Sequence, residues 1–165
     1  MNRPAIAAAL SVLCLTRPAL AAGPDSGTAD LERGHYLVRV SGCNDCHTPG
    51  YLQADGKVPE SQWLTGNRVG FQGPWGTTYP ANLRHTVHDL TEEDWLARAR
   101  QPMRPPMPWF NLSAMTDDDL RALYRYIRHL GDAGEPAPAA VPPGVAVSTP
   151  YIDFTARNLD KVAAR

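Results

Sequence analysis

Cys43-Asn44-Asp45-Cys46-His47 is the stretch on which the reading of the whole sequence turns. Two thiols three positions apart on one helical turn can reach the two vinyl groups along one haem edge. The histidine that follows then lies below the iron and offers it an imidazole nitrogen. Two other chemistries share a Cys-x-x-Cys pair. A redox disulfide favours a strand-then-helix setting, and here the pair follows a helical stretch. A zinc site needs a second pair of ligands, and no second Cys pair is present. The pentapeptide therefore reads as the attachment site of one covalent haem c, through Cys43, Cys46 and His47.

A haem that only carries electrons needs a sixth ligand, and a thioether opposite the histidine raises the potential. Met107 is the best placed methionine, inside Arg104-Pro105-Pro106-Met107-Pro108. Prolines on both sides fix φ and forbid a helix, so a stiff extended segment holds the side chain. The stretch between His47 and Met107 is long enough to wrap around the ring. Met103 is the competitor. Met115 reads as a core residue at the entry of the last helix. His35, His85, His88 and His129 read as structural or solvated, with a second imidazole from His85 or His88 as a minor alternative.

The elements around the motif are mostly helical. Asp30 is placed to cap a helix from about Leu31 into the motif, with Leu31, Gly34 and Val38 on one face and Gly34 open to a close neighbour. Thr91 caps a second helix to Arg100, with Trp95 and Leu96 inward and Pro102 as its stop. Thr116 and Asp119 start the last helix, Leu120, Leu123, Tyr124, Ile127 and Leu130 form its stripe, and Gly131 ends it. Arg121, Arg125 and Arg128 read as a solvated face supported by Asp117–Arg121 pairing, with a docking patch for an acidic partner as the alternative. The glycine- and proline-rich stretch 57–83 reads as a long loop that lines the haem, with Trp63, Trp75 and Tyr79 as wall or as donors to the propionates. Residues 132–165 read as a proline-rich extended tail, which Tyr151, Ile152 and Phe154 pin either to the domain or to a partner.

Arg3, the apolar run Ala5–Leu15 and Ala19-Leu20-Ala21 read as a signal peptide over residues 1–21. The run is too short to span a bilayer, which takes ~20 apolar residues. Cys14 follows Leu13, where a lipidation motif needs a small residue. Removing Arg3 and Arg17 takes the net charge from −1 to −3. A mildly acidic chain argues against nucleic acid as a partner. The expected location is the periplasm, with no membrane span after cleavage.

Residues 29–131 resemble class I cytochrome c in their order: helix, Cys-Asn-Asp-Cys-His, glycine-rich loop, Pro-Met-Pro and a final amphipathic helix. They are more similar still to the haem modules in cytochrome subunits of bacterial membrane-bound alcohol and gluconate dehydrogenases. Gly76-Thr77-Thr78-Tyr79-Pro80-Ala81-Asn82 stands where those modules carry Gly-Thr-x-Tyr-x-x-Asn. Pro105-Pro106-Met107-Pro108-Trp109 stands at their Pro-x-Met-Pro-Tyr, and Asp119-Leu120-Arg121-Ala122-Leu123-Tyr124 is similar to their last helix.

The resemblance implies a mostly α cytochrome c fold, with about three to four helices around one haem and long irregular loops. It implies Cys43 and Cys46 as thioether sites, His47 and Met107 as axial ligands, and Tyr79 and Asn82 near the haem edge. Those subunits hold three haems and an anchor and have a longer stretch after the asparagine. This sequence has one haem motif and no anchor, so the expectation is a free or loosely docked single-haem carrier rather than an enzyme. Its partners would be redox proteins: a dehydrogenase as donor, and an oxidase or other cytochrome as acceptor. A tightly bound subunit of a dehydrogenase complex is the alternative, and a peroxidase-like enzyme or gas sensor is a third reading.

Overall fold

A computed structural model describes residues 26–159, so the leader read at 1–21 lies outside the described residues. The first helix, α1, spans Ser26–Val40. It begins before Leu31, which corrects the reading of Asp30 as its cap. Asp30 lies inside the helix and its carboxylate instead accepts from Arg125. The helix does not run into the motif either. Gly42 takes a left-handed conformation with φ 69°, and the chain restarts as the single turn α2, Cys43–His47. Glycine adopts that φ without the clash a Cβ would bring.

Four helices complete the shell: α3, Leu83–His88; α4, Glu92–Ala99; α5, Trp109–Ser113; and α6, Asp117–His129. Thr91 and Thr116 cap α4 and α6 as expected, accepting from the amides of Asp94 and Asp119. Three aspartates open α6 and Arg128 and His129 close it, matching its dipole. Its apolar stripe is buried at Leu120, Leu123 and Ile127. Helices α1 and α6 cross at Gly34, where a methyl group would fall well inside 3.0 Å of the Ala122 carbonyl and the Tyr126 Cβ. Trp95 brings α4 onto the same core and donates its indole N–H to the Leu120 carbonyl at 2.9 Å.

The arginines of α6 are not a free solvated row. Arg121 pairs with Glu92 of α4 at 2.7 Å, Arg125 pairs with Glu92 and with Asp30 of α1, and Arg128 donates to the His88 carbonyl. Asp117 pairs with Arg100, not with Arg121. The expected helix-local pair is thus replaced by ties between helices. Each tie is half-exposed and contributes at most about 1 kcal/mol, so their main effect is to fix which helices adjoin.

The stretch 57–83 is not an irregular loop throughout. It holds a 3₁₀ turn, Glu60–Gln62, and a hairpin of β1, Gly70–Gly73, with β2, Gly76–Thr78. The strands pair antiparallel with Phe71 opposite Thr78 and Gly73 opposite Gly76. Strand β3, Tyr151–Asp153, then lies parallel to β1 and gives the sheet order β2-β1-β3. On the other edge, Thr77 and Val141 exchange backbone hydrogen bonds of 2.9 and 2.8 Å. Gly76, at φ 96°, leaves the room in which the Val141 carbonyl sits. Phe154 packs edge-on against Phe71 at 5.4 Å. The described part of the segment after Gly131 lies along its own domain through β3, the Thr77–Val141 bonds and Phe154.

Candidate functional site

The turn that carries the cysteines is latched from below. Asn44 is fully buried, and its carboxamide oxygen accepts from the Thr48 hydroxyl at 2.7 Å. That hydroxyl in turn accepts from the Leu64 amide at 2.8 Å. The Asn44 Nδ2 group has no hydrogen-bond partner among the described residues. The His47 carbonyl accepts from the Gly66 amide at 2.9 Å. The turn is therefore tied to residues 64–66, just before the hairpin, by side chain and backbone together.

His47 is buried, and its Nδ1 lies 2.7 Å from the Ala81 carbonyl oxygen. A carbonyl only accepts, so Nδ1 carries the proton and Nε2 keeps its lone pair. Burial lowers the imidazole pKa, against a smaller upward pull from that carbonyl. The result is a neutral ring with one nitrogen held and the other available as a donor.

Cys43 and Cys46 are free thiols, both half-buried. Desolvation pushes the Cys43 thiol up to about 11 and raises Cys46 as well. Exchange-active Cys-x-x-Cys pairs work through a depressed thiol pKa, so this pair lacks the property that disulfide chemistry uses. No group of three or more metal-ligating His, Cys, Asp or Glu occurs among the described residues.

Met103, Met107 and Met115 all pack half-buried against the core. Around Met107 the chain is irregular, as its prolines require. The Met107 amide donates to the Arg104 carbonyl and the Met107 carbonyl accepts from the Trp109 amide at 2.8 Å. Burial alone does not separate Met107 from Met103.

Tyr79 and Asn82 are both buried, and their polar groups are already engaged. The Tyr79 hydroxyl bonds Thr149 at 2.5 Å. The Asn82 carboxamide oxygen caps α3 through the amides of Arg84 and His85, and its Nδ2 donates to the Ala133 carbonyl at 2.8 Å. Trp63 and Trp75 likewise donate to the carbonyls of Val58 and Phe71. In this structure the Trp63 and Trp75 indoles serve the protein's own backbone and the Tyr79 hydroxyl pairs with the Thr149 side chain. Among the histidines, His35 stacks on Trp63 at 5.4 Å and His85 faces Asp132 at 3.0 Å.

One residue escaped the sequence reading. Arg84 is 4% exposed. Its guanidinium donates to four carbonyls: Trp63 at 2.7 Å and Glu60, Ser61 and Leu130 at 3.0 Å. Burial lowers its pKa, with Tyr126, Glu60 and Asp132 opposing. Its position directly after the cap of a short helix gives no hint of this, because its acceptors come from segments far along the chain.

A helical shell that holds a reduced Cys-x-x-Cys-His turn and a neutral, oriented imidazole belongs to the class of haem-attachment domains. The Cytochrome c family model matches residues 31–131, and the chain belongs to that family. It is 30% identical over 135 residues to the cytochrome c subunit of a quinone alcohol dehydrogenase from Gluconobacter oxydans (strain 621H), covering 75% of this chain and 26% of that protein. It is 29% identical over 147 residues to a fructose dehydrogenase cytochrome subunit from Gluconobacter japonicus, covering 82% and 27%. A gluconate 2-dehydrogenase cytochrome c subunit from Pantoea cypripedii is 26% identical over 119 residues, covering 66% and 25%. The chain thus spans about a quarter of the length of the relatives it matches. No solved structure matches it significantly.

The fold is accordingly the mostly α cytochrome c fold, with six helices among the described residues. The cofactor is covalent haem c. The α2 turn fits it: two reduced thiols three positions apart, and a histidine whose Nε2 makes no hydrogen bond among the described residues. No helix among the described residues is long and apolar enough to cross a membrane.

Proposed function

We propose that this protein is a periplasmic carrier of single electrons on one haem. Cys43 and Cys46 would hold the haem as thioethers, His47 would ligate its iron through Nε2, and Met107 would supply the second iron ligand. The observation that carries this reading is the 2.7 Å contact from His47 Nδ1 to the Ala81 carbonyl. It fixes the tautomer that a metal-bound histidine needs and raises the basicity of the free nitrogen. The haem supplies the one-electron couple; the chain's part is to fix the ligands and exclude water. Residues 1–21 are proposed to direct export, and residues 132–159 to brace the haem domain.

The test is to purify the exported protein and record its mass, N-terminus and oxidised and reduced spectra. A covalent haem, an N-terminus at Ala22 and a low-spin spectrum in both states are expected. Rapid carbon monoxide binding to the reduced protein would instead indicate an open sixth position and a haem enzyme or sensor.

The second reading is an electron-transfer subunit of a dehydrogenase complex. The printed names of the relatives favour it. Co-purification of a catalytic dehydrogenase subunit at fixed stoichiometry would establish it. Recovery of the haem protein alone, reducible by a dissociable donor, would favour the free carrier.

A further inference from the structure

The acceptor of the His47 proton is a backbone carbonyl, so its position depends on whatever holds the peptide between Ala81 and Asn82. On one side that peptide is held by the irregular segment of residues 64–67. Leu83 donates to the Leu64 carbonyl at 2.9 Å and Asn67 donates to the Pro80 carbonyl at 3.0 Å. Gly66 packs so tightly there that a Cβ would meet the Asn82 nitrogen at 2.8 Å.

On the other side the peptide is held by the chain just beyond α6. Asn82 Nδ2 donates to the Ala133 carbonyl at 2.8 Å, with Glu135 O at 3.4 Å. Its neighbours reach the same segment: Arg84 to the Leu130 carbonyl and His85 to Asp132, both at 3.0 Å. Three of four consecutive residues after Ala81 thus grip residues 130–133. Asn82 is the joint: one end of its carboxamide caps α3 and the other takes hold of the segment after α6.

We infer that Asn82 is a positioning residue for His47, and that the chain beyond α6 acts through it on the haem iron. The inference rests on His47 being the proximal ligand. The physical link is short. A well-aligned Nδ1–H···O=C bond makes the other ring nitrogen a stronger donor, and a stronger donor favours ferric over ferrous iron. Loosening the Ala133–Asn82 grip lets the Ala81 carbonyl drift, weakens that bond and raises the potential.

The experiment uses the full haem-loaded protein. Asn82→Ser keeps a good helix cap, since serine and asparagine cap about equally well, but loses the donor to Ala133. We expect a modest loss of thermal stability, because the Ala133 carbonyl loses its donor, and a low-spin spectrum. We expect an upward shift in potential, read as about a threefold fall in the ferric-to-ferrous ratio at fixed ambient potential. For one electron that is about 30 mV. The proximal Nδ1 proton should exchange faster with solvent. Gly134→Ala perturbs the same grip from the far side, because Gly134 sits at φ 77° with its space closed by Thr65 and Asn82. It should shift the potential in the same direction. Unchanged potential and unchanged proton exchange in both variants overturns the inference. Retention of the wild-type spectrum in His47→Ala would instead overturn the ligand assignment beneath it.

Discussion

Gly34 of α1 and Ala122 of α6 meet backbone to backbone, with no room between them for a methyl group. Alanine is about 1 kcal/mol better than glycine inside a helix, so Gly34→Ala would stabilise a solvent-facing position. Here the clash is with a carbonyl that cannot step aside without moving the helix. We expect a net loss of about 1–3 kcal/mol, measured by denaturant unfolding. A gain in stability would show that the two helices do not touch at this point.

Met107 and Met103 are alike in burial, so substitution is what separates them. Met107→Ala is expected to open the sixth coordination position. The oxidised spectrum should become high-spin, carbon monoxide should bind quickly on reduction, and the potential should fall because a thioether raises it. Met103→Ala should leave all three properties as they were. The reverse pattern would assign the ligand to Met103.

The acid limit of stability follows from two carboxylates in the ties between helices. The Arg33 hydrogen bond holds Asp119 below its usual value. For Glu92, burial alone would raise the carboxyl, but Arg121 and Arg125 together outweigh it and the net shift is downward. Folded values below the unfolded ones mean a contribution fully present above about pH 4 and lost as pH falls below it. We expect unfolding free energy to decline through that window. The decline should be shallower in Asp119→Asn and Glu92→Gln, and partial exposure of both pairs keeps it modest. Parallel pH profiles for wild type and variants would count against these pairs.

Gly76 is where the C-terminal segment crosses the hairpin. Gly76→Ala strains a φ of 96° and drives a methyl into the Val141 carbonyl. We expect faster hydrogen exchange at the amides of Thr77 and Val141 and easier proteolysis between residues 135 and 150. Phe154→Ala removes the edge-on contact with Phe71 at a cost of about 1 kcal/mol or less, since the ring is 45% exposed. Unaltered exchange in Gly76→Ala would mean that the segment does not lie there in solution.

What the sequence disclosed and what it hid divide along a physical line. Local rules worked. The Cys-x-x-Cys-His spacing, the threonine caps at 91 and 116, the α6 stripe and the small residue at Gly34 each depend on neighbours a few positions away. Distant partners were hidden. Arg125 reads as part of a charged row, yet its acid in α1 is 95 positions away. Strands of three and four residues, rich in glycine, are too short for alternation to emerge, so β1 and β2 read as loop. Asp30 reads as a cap for a related reason: an acid near a helix start suits one, and nothing local announces a partner in α6. Asn82 was singled out by motif, but its second grip on Ala133 lies beyond any spacing rule.

Arg84 sets a length requirement. Its four acceptors come from the 60–63 stretch and from Leu130, and the family match ends at residue 131. A chain cut before residue 130 would leave an interior cation one acceptor short. A shortened version intended to hold the haem must therefore extend past Leu130, and the last residues of α6 count toward its minimum size even though they lie far along the sequence from the cysteines.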